Sequence, residues 1–196
     1  MGNVISKIGF GGGCHWCTEA VFQSVRGVNR TEQGFIRSDP PCDNWSEAVI
    51  VHYDETDIRL ADLIEIHLRT HASGSAHSMR GKYRSAIYCF TAEQQKAAAD
   101  VLASLQDGFD ETLVTQVLPF AGFRESDQRF QNYYEQGPER PFCQTYIDPK
   151  LRILRERFSG LVRESRDVSR IQRSVNPAAG CRRNSATAAK TTAKRI

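Results

Sequence analysis

The apolar positions of this 196-residue chain repeat with two different periods, and the alternation between them lays out a string of short elements. Val4 to Ile8 is a brief apolar run that leads into glycines and reads as a strand. In "HWCTEAVFQSV", Ala20, Val21, Phe22 and Val25 fall at helical spacing, and Gly27 stands where a helix C-terminus favours a positive φ. Asn29 to Ile36 predicts a strand, and Ser38 to Asn44, with Pro40 and Pro41, a loop. "SEAVIVHYD" alternates with period two and is rich in β-branched residues, the pattern of a half-buried strand. Leu60, Leu63, Ile64, His67 and Leu68 mark one face of a helix. "HASGSAHSMRGK" is a polar loop long enough to carry function. "YRSAIYCF" predicts another strand, and "TAEQQKAAADVLASLQ" a helix opened by a capping box between Thr91 and Gln94. "TLVTQVL" predicts a strand ending at Pro119, Glu125 to Glu135 a short helix, and "RPFCQTYIDPKLRILRERF" closes the body.

Strands and helices interleave, but the connections differ in length and some strands are sequence neighbours. That pattern favours an α+β layered domain with a mixed sheet over a regular parallel one. An apolar content of 40% supports one domain with one sizeable core, and neither an internal repeat nor a linker precedes Phe158. Charge divides the chain. From Ser159 onward Lys and Arg outnumber Asp and Glu nine to two, which leaves 17 against 21 in residues 1–158. The basicity belongs to the terminal segment, which is rich in Ser, Ala, Thr and Arg and has no aromatic residue. A final helix could run on through Gly160 to Val175; beyond Asn176 the composition predicts disorder. A basic tail can touch nucleic acid or anionic lipid, but a solvated terminus is the expectation, with no nucleic-acid partner. No apolar run approaches the roughly 20 residues that cross a bilayer, and the N-terminus has no signal-peptide pattern. Met1 to Ser6 fits a myristoylation pattern, yet Val4 to Gly9 reads better as a strand. Six cysteines without an export signal point to a reducing, cytoplasmic setting and to thiols with chemical roles.

"GFGGGCHWCTEAVF" holds the candidate chemistry. A dinucleotide fingerprint starting at Gly9 would need glycine where Cys14 stands, and no Lys-Ser/Thr pair follows to make a phosphate loop. The glycines instead permit a tight turn and close backbone approach. With a helix starting near His15, Cys14 lies at its N-terminus, where unpaired amides and the macrodipole favour a thiolate. Cys17 follows one turn later on the same side. Metal binding is the rival. Cys14-x-x-Cys17 has zinc-ligand spacing, His67-x-x-x-His71 puts two imidazoles on one helix face, and His15 and His77 are further candidates. Against it, no second Cys-x-x-Cys occurs, and His67 falls on an apolar face where core histidines are common.

These residues resemble the active-site motif of the A-type peptide methionine sulfoxide reductases, Gly-Cys-Phe-Trp-Gly before a helix containing Glu-Ala. Here it stands as Gly13-Cys14-His15-Trp16-Cys17, with Glu19 and Ala20 following. "SEAVIVHYD", "KYRSAIY" and "RPFCQTYIDPKL" are similar to three further family segments in matching order, so the resemblance runs from about Val4 to Phe158. It implies a catalytic domain over residues 1–158 followed by a basic tail over 159–196. The expected fold is a two-layer α+β sandwich, helices packed on a mixed β-sheet around a ferredoxin-like core. The implied reaction is reduction of methionine S-sulfoxide, free or in proteins. Cys14 would attack the sulfoxide sulfur, and Glu47 would donate the proton that lets oxygen leave. Independently of the family, Glu47, Val49, Val51 and Tyr53 share one strand face, and burial of a carboxyl at the start of an apolar stripe suits a general acid.

The resemblance further assigns Tyr83 to the sulfoxide oxygen and Trp16 to the wall that receives the substrate methyl. Attack leaves a sulfenic acid that a second thiol must condense with. Cys143 occupies the family's resolving position, while Cys17 replaces the motif's last glycine and creates a Cys-x-x-Cys pair; Cys17 either resolves directly or receives the disulfide from Cys143 for handover to thioredoxin. Cys42, Cys89 and Cys181 are structural or incidental. The chain departs from the family at three further places. His15 replaces a phenylalanine, Phe35 a tyrosine of the oxygen site, and Ser78 an aspartate. His15 and Phe35 thus become walls of the substrate pocket, and His15 could supply a proton or, as an imidazolium, lower the thiol pKa. No cofactor is implied beyond an external dithiol such as thioredoxin, no membrane partner, and a monomer is expected. A general thiol–disulfide oxidoreductase using Cys14 and Cys17, and a zinc-stabilised binding module using both with two histidines, are the alternatives.

Overall fold

The structure, a computed structural model, describes residues 5–163. Val4, the first residue of the expected strand, and the disorder expected beyond Asn176 lie outside the described residues. Chain order runs β1 (Ile5–Gly11), α1 (His15–Gln23), β2 (Val28–Arg37), β3 (Ser46–Asp54), α2 (Leu60–Thr70), β4 (Ala86–Cys89), α3 (Ala92–Leu105), β5 (Gln116–Pro119), β6 (Gly122–Glu125) and α4 (Asp148–Arg157). The strands form one sheet in the order β5-β4-β1-β3-β2-β6. Its centre, β4-β1-β3-β2, is antiparallel and carries α1 and α2 as crossovers, which is the ferredoxin-like arrangement. β5 adds in parallel beside β4, making the sheet mixed, and β6 adds antiparallel beside β2.

Strand alternation divides the core in two. Ile8, Phe10, Val49, Val51 and Ile87 face the helices and bury Ala20, Val21, Phe22, Leu63 and Ile64. Phe10 stacks on Phe22 at 4.7 Å and lies 4.8 Å from the His67 ring. Each large apolar side chain buried this way contributes about 1.5–3 kcal/mol. Ile36, Ala48, Ile50, Ala86 and Tyr88 point to the other face, where a smaller cluster closes under Phe90, Leu118, Phe120 and Phe123.

Several local expectations are corrected by tertiary pairing. The segment read as a helix from Glu125 to Glu135 contains none. Gly122–Glu125 is a strand, because it completes the open edge of β2 at Gly34–Arg37, and only a 3-10 turn follows at Gln128–Phe130. β4 begins at Ala86, later than "YRSAIYCF" implies, since the backbone just before it bonds sideways: Arg84 N donates to Ser46 Oγ (2.8 Å), and Lys82 O accepts from Glu47 N (3.0 Å). Thr91 caps α3 by accepting from Gln94 N. The return half of the expected box is missing, because Gln94 Oε1 accepts from Phe90 N instead. Gly27 does have φ +85°, but α1 ends at Gln23, so that conformation serves the turn into β2. No helix continues through Gly160 either. Ser159–Leu161 is a 3-10 turn, Val162 bridges Val25, and Arg163 N donates to Ser24 O (2.8 Å), so packing extends at least to Arg163.

Candidate active site

The glycines after β1 are set by close approach. A Cβ on Gly12 would stand 2.5 Å from His71 Cδ2, so no side chain fits where the chain turns over the end of α2. The turn delivers Cys14 to the N-cap of α1, its carbonyl accepting from Cys17 N (3.1 Å) and Thr18 N (3.3 Å). The sulfur is held below the usual cysteine range, first by a hydrogen bond from the Cys17 thiol and then by the backbone amides of Trp16 and Cys17, against opposition from burial and from Glu47. This is the helix-terminal effect expected of the motif, with the neighbouring thiol as the larger cause.

Glu47 lies in the same small volume. Its Oε2 accepts from the backbone N–H of His15 (3.1 Å), the residue after Cys14. The carboxyl is 7% exposed, but its surroundings are richer in donors than the apolar stripe implied: Lys82 Nζ stands 3.4 Å from Oε1. Lys82 Nζ also lies over the Tyr83 ring, 4.9 Å from its centroid, and Tyr83 and Glu47 both raise its pKa.

His15 is buried, and its Nδ1–H donates to Gly34 O at 3.0 Å, which leaves Nε2 3.8 Å from Glu47 Oε2. Burial outweighs Glu47 and holds the imidazole below its ordinary pKa. Phe35 sits edge-on to His15 at 5.4 Å and directly opposite Glu47 across the β2–β3 pair. Trp16 is stacked face to face on Tyr133 (4.0 Å, 3°), with Phe142 edge-on at 5.4 Å. One face of the indole is thus already covered.

Behind the sulfur the second thiols gather. Cys17 is buried, its Sγ 3.8 Å from Tyr146 O, in the π-helical turn Cys143–Ile147 that leads into α4. Cys143 is fully buried in that turn, and burial raises its pKa. Cys17 is raised strongly, mainly because it donates to Cys14. A cavity of about 20 Å³, room for one water, lies among Gly13, Cys14, Cys17, His67, His71 and Lys150. Lys150 donates to Thr70 O there, and its pKa is lowered by burial. Cys42 and Cys89 stand apart from this group; Cys89 is buried and its thiol is pushed up to about 11.

The histidines nominated for zinc serve the fold. His67 Nε2–H donates to Gly11 O (2.9 Å), and His71 Nδ1–H to His67 O (2.6 Å). His71 Nε2 accepts from Ser85 Oγ (2.7 Å), which in turn pairs with Thr115. Among the described residues no three His, Cys, Asp or Glu side chains are grouped to hold a metal. Ser78 and His77 lie on the exposed 3-10 turn leading to Gly81.

Three contributors escaped the sequence reading. Lys82 and Lys150 meet partners far away in sequence, and no local pattern announces either. Glu19 is detectable in principle as a carboxyl on the buried side of α1. It accepts from Gln33 Nε2 (3.0 Å), Asn132 N (3.0 Å) and Tyr133 N (3.4 Å), and so fixes the turn that lays Tyr133 on Trp16.

Comparison with known proteins agrees with this geometry. A model of the family described as peptide methionine sulfoxide reductase matches residues 6–160. The chain is 32% identical over 168 residues to a peptide methionine sulfoxide reductase MsrA of Acinetobacter baumannii, covering 79% of this chain and 96% of that one. It is 33% identical over 170 residues to the MsrA of Deinococcus radiodurans, covering 79% and 82%. In fold it is similar to the reduced form of Mxr1 from Saccharomyces cerevisiae (TM-score 0.63, 20% identity, 72% and 91% covered). It is likewise similar to methionine sulfoxide reductase A of Corynebacterium diphtheriae (TM-score 0.58, 23% identity, 68% and 76% covered). A cysteine at the head of a helix, a carboxyl held on the next amide and further thiols behind it thus stand in an oxidoreductase acting on methionine sulfoxide, and the chain belongs to the peptide methionine sulfoxide reductase family.

Proposed function

We propose that the protein reduces the S epimer of methionine sulfoxide, free or in peptides, with Cys14 as nucleophile and Glu47 as proton donor. The observation that carries this is the pairing of Cys14, at the N-cap, with a carboxyl bonded to the adjacent His15 amide. The Cys14 thiolate attacks the sulfoxide sulfur. A proton from Glu47 lets the sulfoxide oxygen leave as hydroxide, which then bonds to the Cys14 sulfur as the transient sulfur–sulfur bond breaks, giving methionine and a Cys14 sulfenic acid. Lys82 orients Glu47 and Tyr83, whose hydroxyl is the remaining phenolic donor for the oxygen now that Phe35 supplies none. The free face of Trp16 and the Phe35 ring form the apolar walls that favour a methyl group.

Cys17 resolves first. It stands one helical turn from Cys14, so condensation of its thiol with the sulfenic acid, releasing water, needs little movement. Cys143, in the turn packed against Cys17, then takes over the disulfide, which a dithiol protein reduces. Mxr1 has been solved in complex with Trx2, which supports thioredoxin as that reductant. No helix among the described residues is long and apolar enough to cross a membrane, and the action proposed is on dissolved substrates as a cytoplasmic monomer. The domain runs to the last described packing, with the basic tail attached beyond it.

The test is consumption of a methyl sulfoxide with dithiothreitol, by wild type and Cys14→Ser. Turnover by wild type alone is expected; full activity in the variant removes Cys14 from its role. Mass mapping after one turnover without reductant is expected to find Cys17 in a disulfide. A Cys14–Cys143 bridge with Cys17 always free rejects Cys17 as the first resolving thiol.

A further inference from the structure

Glu47, Phe35 and Arg124 stand directly opposite one another on β3, β2 and β6. Opposed residues share a sheet face, so the three form a row that starts at the proposed acid and runs outward. Two strand spacings separate its ends, about 10 Å. Arg37, two residues beyond Phe35, and Trp45, two before Glu47, extend the same face. Both guanidiniums lie against the one indole, Arg37 at 5.6 Å and Arg124 at 5.4 Å, and Arg124 also covers Phe35 at 5.1 Å. Trp45 is 38% exposed, a large aromatic left at the surface. Opposite Arg37, a Cβ on Gly122 would come within 3.1 Å of Arg37 Nε and 3.6 Å of Trp45 Cη2, so its absence leaves room for both side chains to lie flat.

Among the described residues no carboxylate pairs with either guanidinium, and neither makes a side-chain hydrogen bond. Other arginines of the domain are engaged: Arg59 with Asp62, Arg80 with the Ala72 and Ser75 carbonyls, Arg84 with Asn44. Two cations held on one ring, with their donor forks unspent, match the bidentate geometry of a carboxylate.

We propose that Arg37, Arg124 and Trp45 form a carboxylate-binding subsite that selects peptides carrying an acidic side chain one or two residues from the oxidised methionine. The substrate position rests on the function proposed above. Consecutive Cα atoms are about 3.8 Å apart, so a residue one or two places from the sulfoxide, with an Asp or Glu side chain, spans the row from Glu47 to Arg124. Charge complementarity names the occupant, and continuity with the Glu47 row places it on the substrate's path.

The test measures binding, so that it does not depend on turnover. Full-length Cys14→Ser protein is titrated calorimetrically with pentapeptides bearing methionine sulfoxide and Glu, Gln or Lys at each of the two neighbouring positions on either side. The Glu peptide at the favoured position is expected to bind roughly three- to tenfold tighter than its Gln partner, and the ratio to shrink toward one in about 0.5 M salt. Adding Arg37→Gln and Arg124→Gln together is expected to bring the ratio to one. The ratio is internal to each protein, so a partly unfolded fraction cancels. Equal binding of Glu and Gln peptides, or a preference that survives the double substitution, overturns the subsite. Tighter binding of free methionine sulfoxide than of its amide, with no Glu preference, overturns it too, by assigning the guanidiniums to the amino acid's own carboxylate. Sulfoxide turnover by the protein with Cys14 intact, assayed in parallel, reports separately on the function proposed above.

Discussion

His71 connects the active-site turn to acid sensitivity in a way that can be measured. Its ring lies against Gly12, stacks on His67 at 4.1 Å, donates through Nδ1 to a carbonyl and accepts through Nε2 from Ser85. Both nitrogens are satisfied only in the neutral ring. Burial, with Arg80 and Lys150 nearby, brings its pKa from 6.5 down to about 4. In the unfolded chain it titrates near 6.5. A basic group whose folded pKa is depressed binds its proton in the unfolded state first. The stability is therefore complete above pH 6.5 and is lost as pH falls from 6.5 to about 4, by roughly 3 kcal/mol in total. His67, also depressed by burial and by His71, acts in the same direction. Against a typical domain stability of about 5–15 kcal/mol the loss is large. Urea unfolding of wild type and His71→Gln at pH steps from 7.5 to 4.5 reads it directly. Wild type is expected to lose about 1.4 kcal/mol more per pH unit than the variant between pH 6 and pH 4.5, the slope of one extra proton. NMR titration of the His71 ring in the folded protein gives a second reading. Equal slopes, or a ring that titrates near 6.5 in the native state, would refute the reasoning.

The hydrogen bond from Cys17 is the largest cause of the low Cys14 pKa, so Cys17→Ala should move half-maximal alkylation of Cys14 by iodoacetamide to higher pH. Cys17→Ser keeps a donor and is expected to move it much less; equal shifts in both variants contradict the assignment. Gly12→Ala forces a Cβ into the His71 ring and is expected to cost about 1–3 kcal/mol, seen as a Tm lower by several degrees. An unchanged melt means the turn can relax away. Glu19→Gln removes a charged acceptor from two backbone amides and should both lower Tm and raise KM for sulfoxide peptides, as Tyr133 loosens from Trp16. Steady-state kinetics with KM unchanged excludes the positioning role.

Legibility in the sequence followed the range of the forces involved. β3 was readable because its β-branched run suits a strand, although the half-buried pattern it suggested is in fact buried on both faces at the centre of the sheet. α2 was readable because its apolar stripe, with Leu63, Ile64, His67 and Leu68, is the face it buries. β6 was not, since Gly122–Glu125 has weak strand character of its own and exists because Gly34–Arg37 offers unpaired backbone. The same holds in the site. Cys14 and Cys17 stand one turn apart within a single motif, and helix geometry alone predicts their meeting. Glu47 could be placed on the right face, but not the Lys82 cation beside it, which arrives through the sideways bonding of residues 82–84 to the start of β3. His15 illustrates the limit: substitution of an aromatic by an imidazole reads as added charge, whereas the Gly34 carbonyl takes one ring nitrogen and burial lowers the pKa.

The stitch between Val162 and Val25 fixes where anything joined to the C-terminal side of Arg163 leaves the domain. That exit is at the far pole of α1, a nine-residue helix, and so about 13 Å along its axis from the reactive sulfur. A label attached at Val162 itself would stand that far from the sulfur, and a surface holding the domain there would leave the leading end of α1 facing the solution.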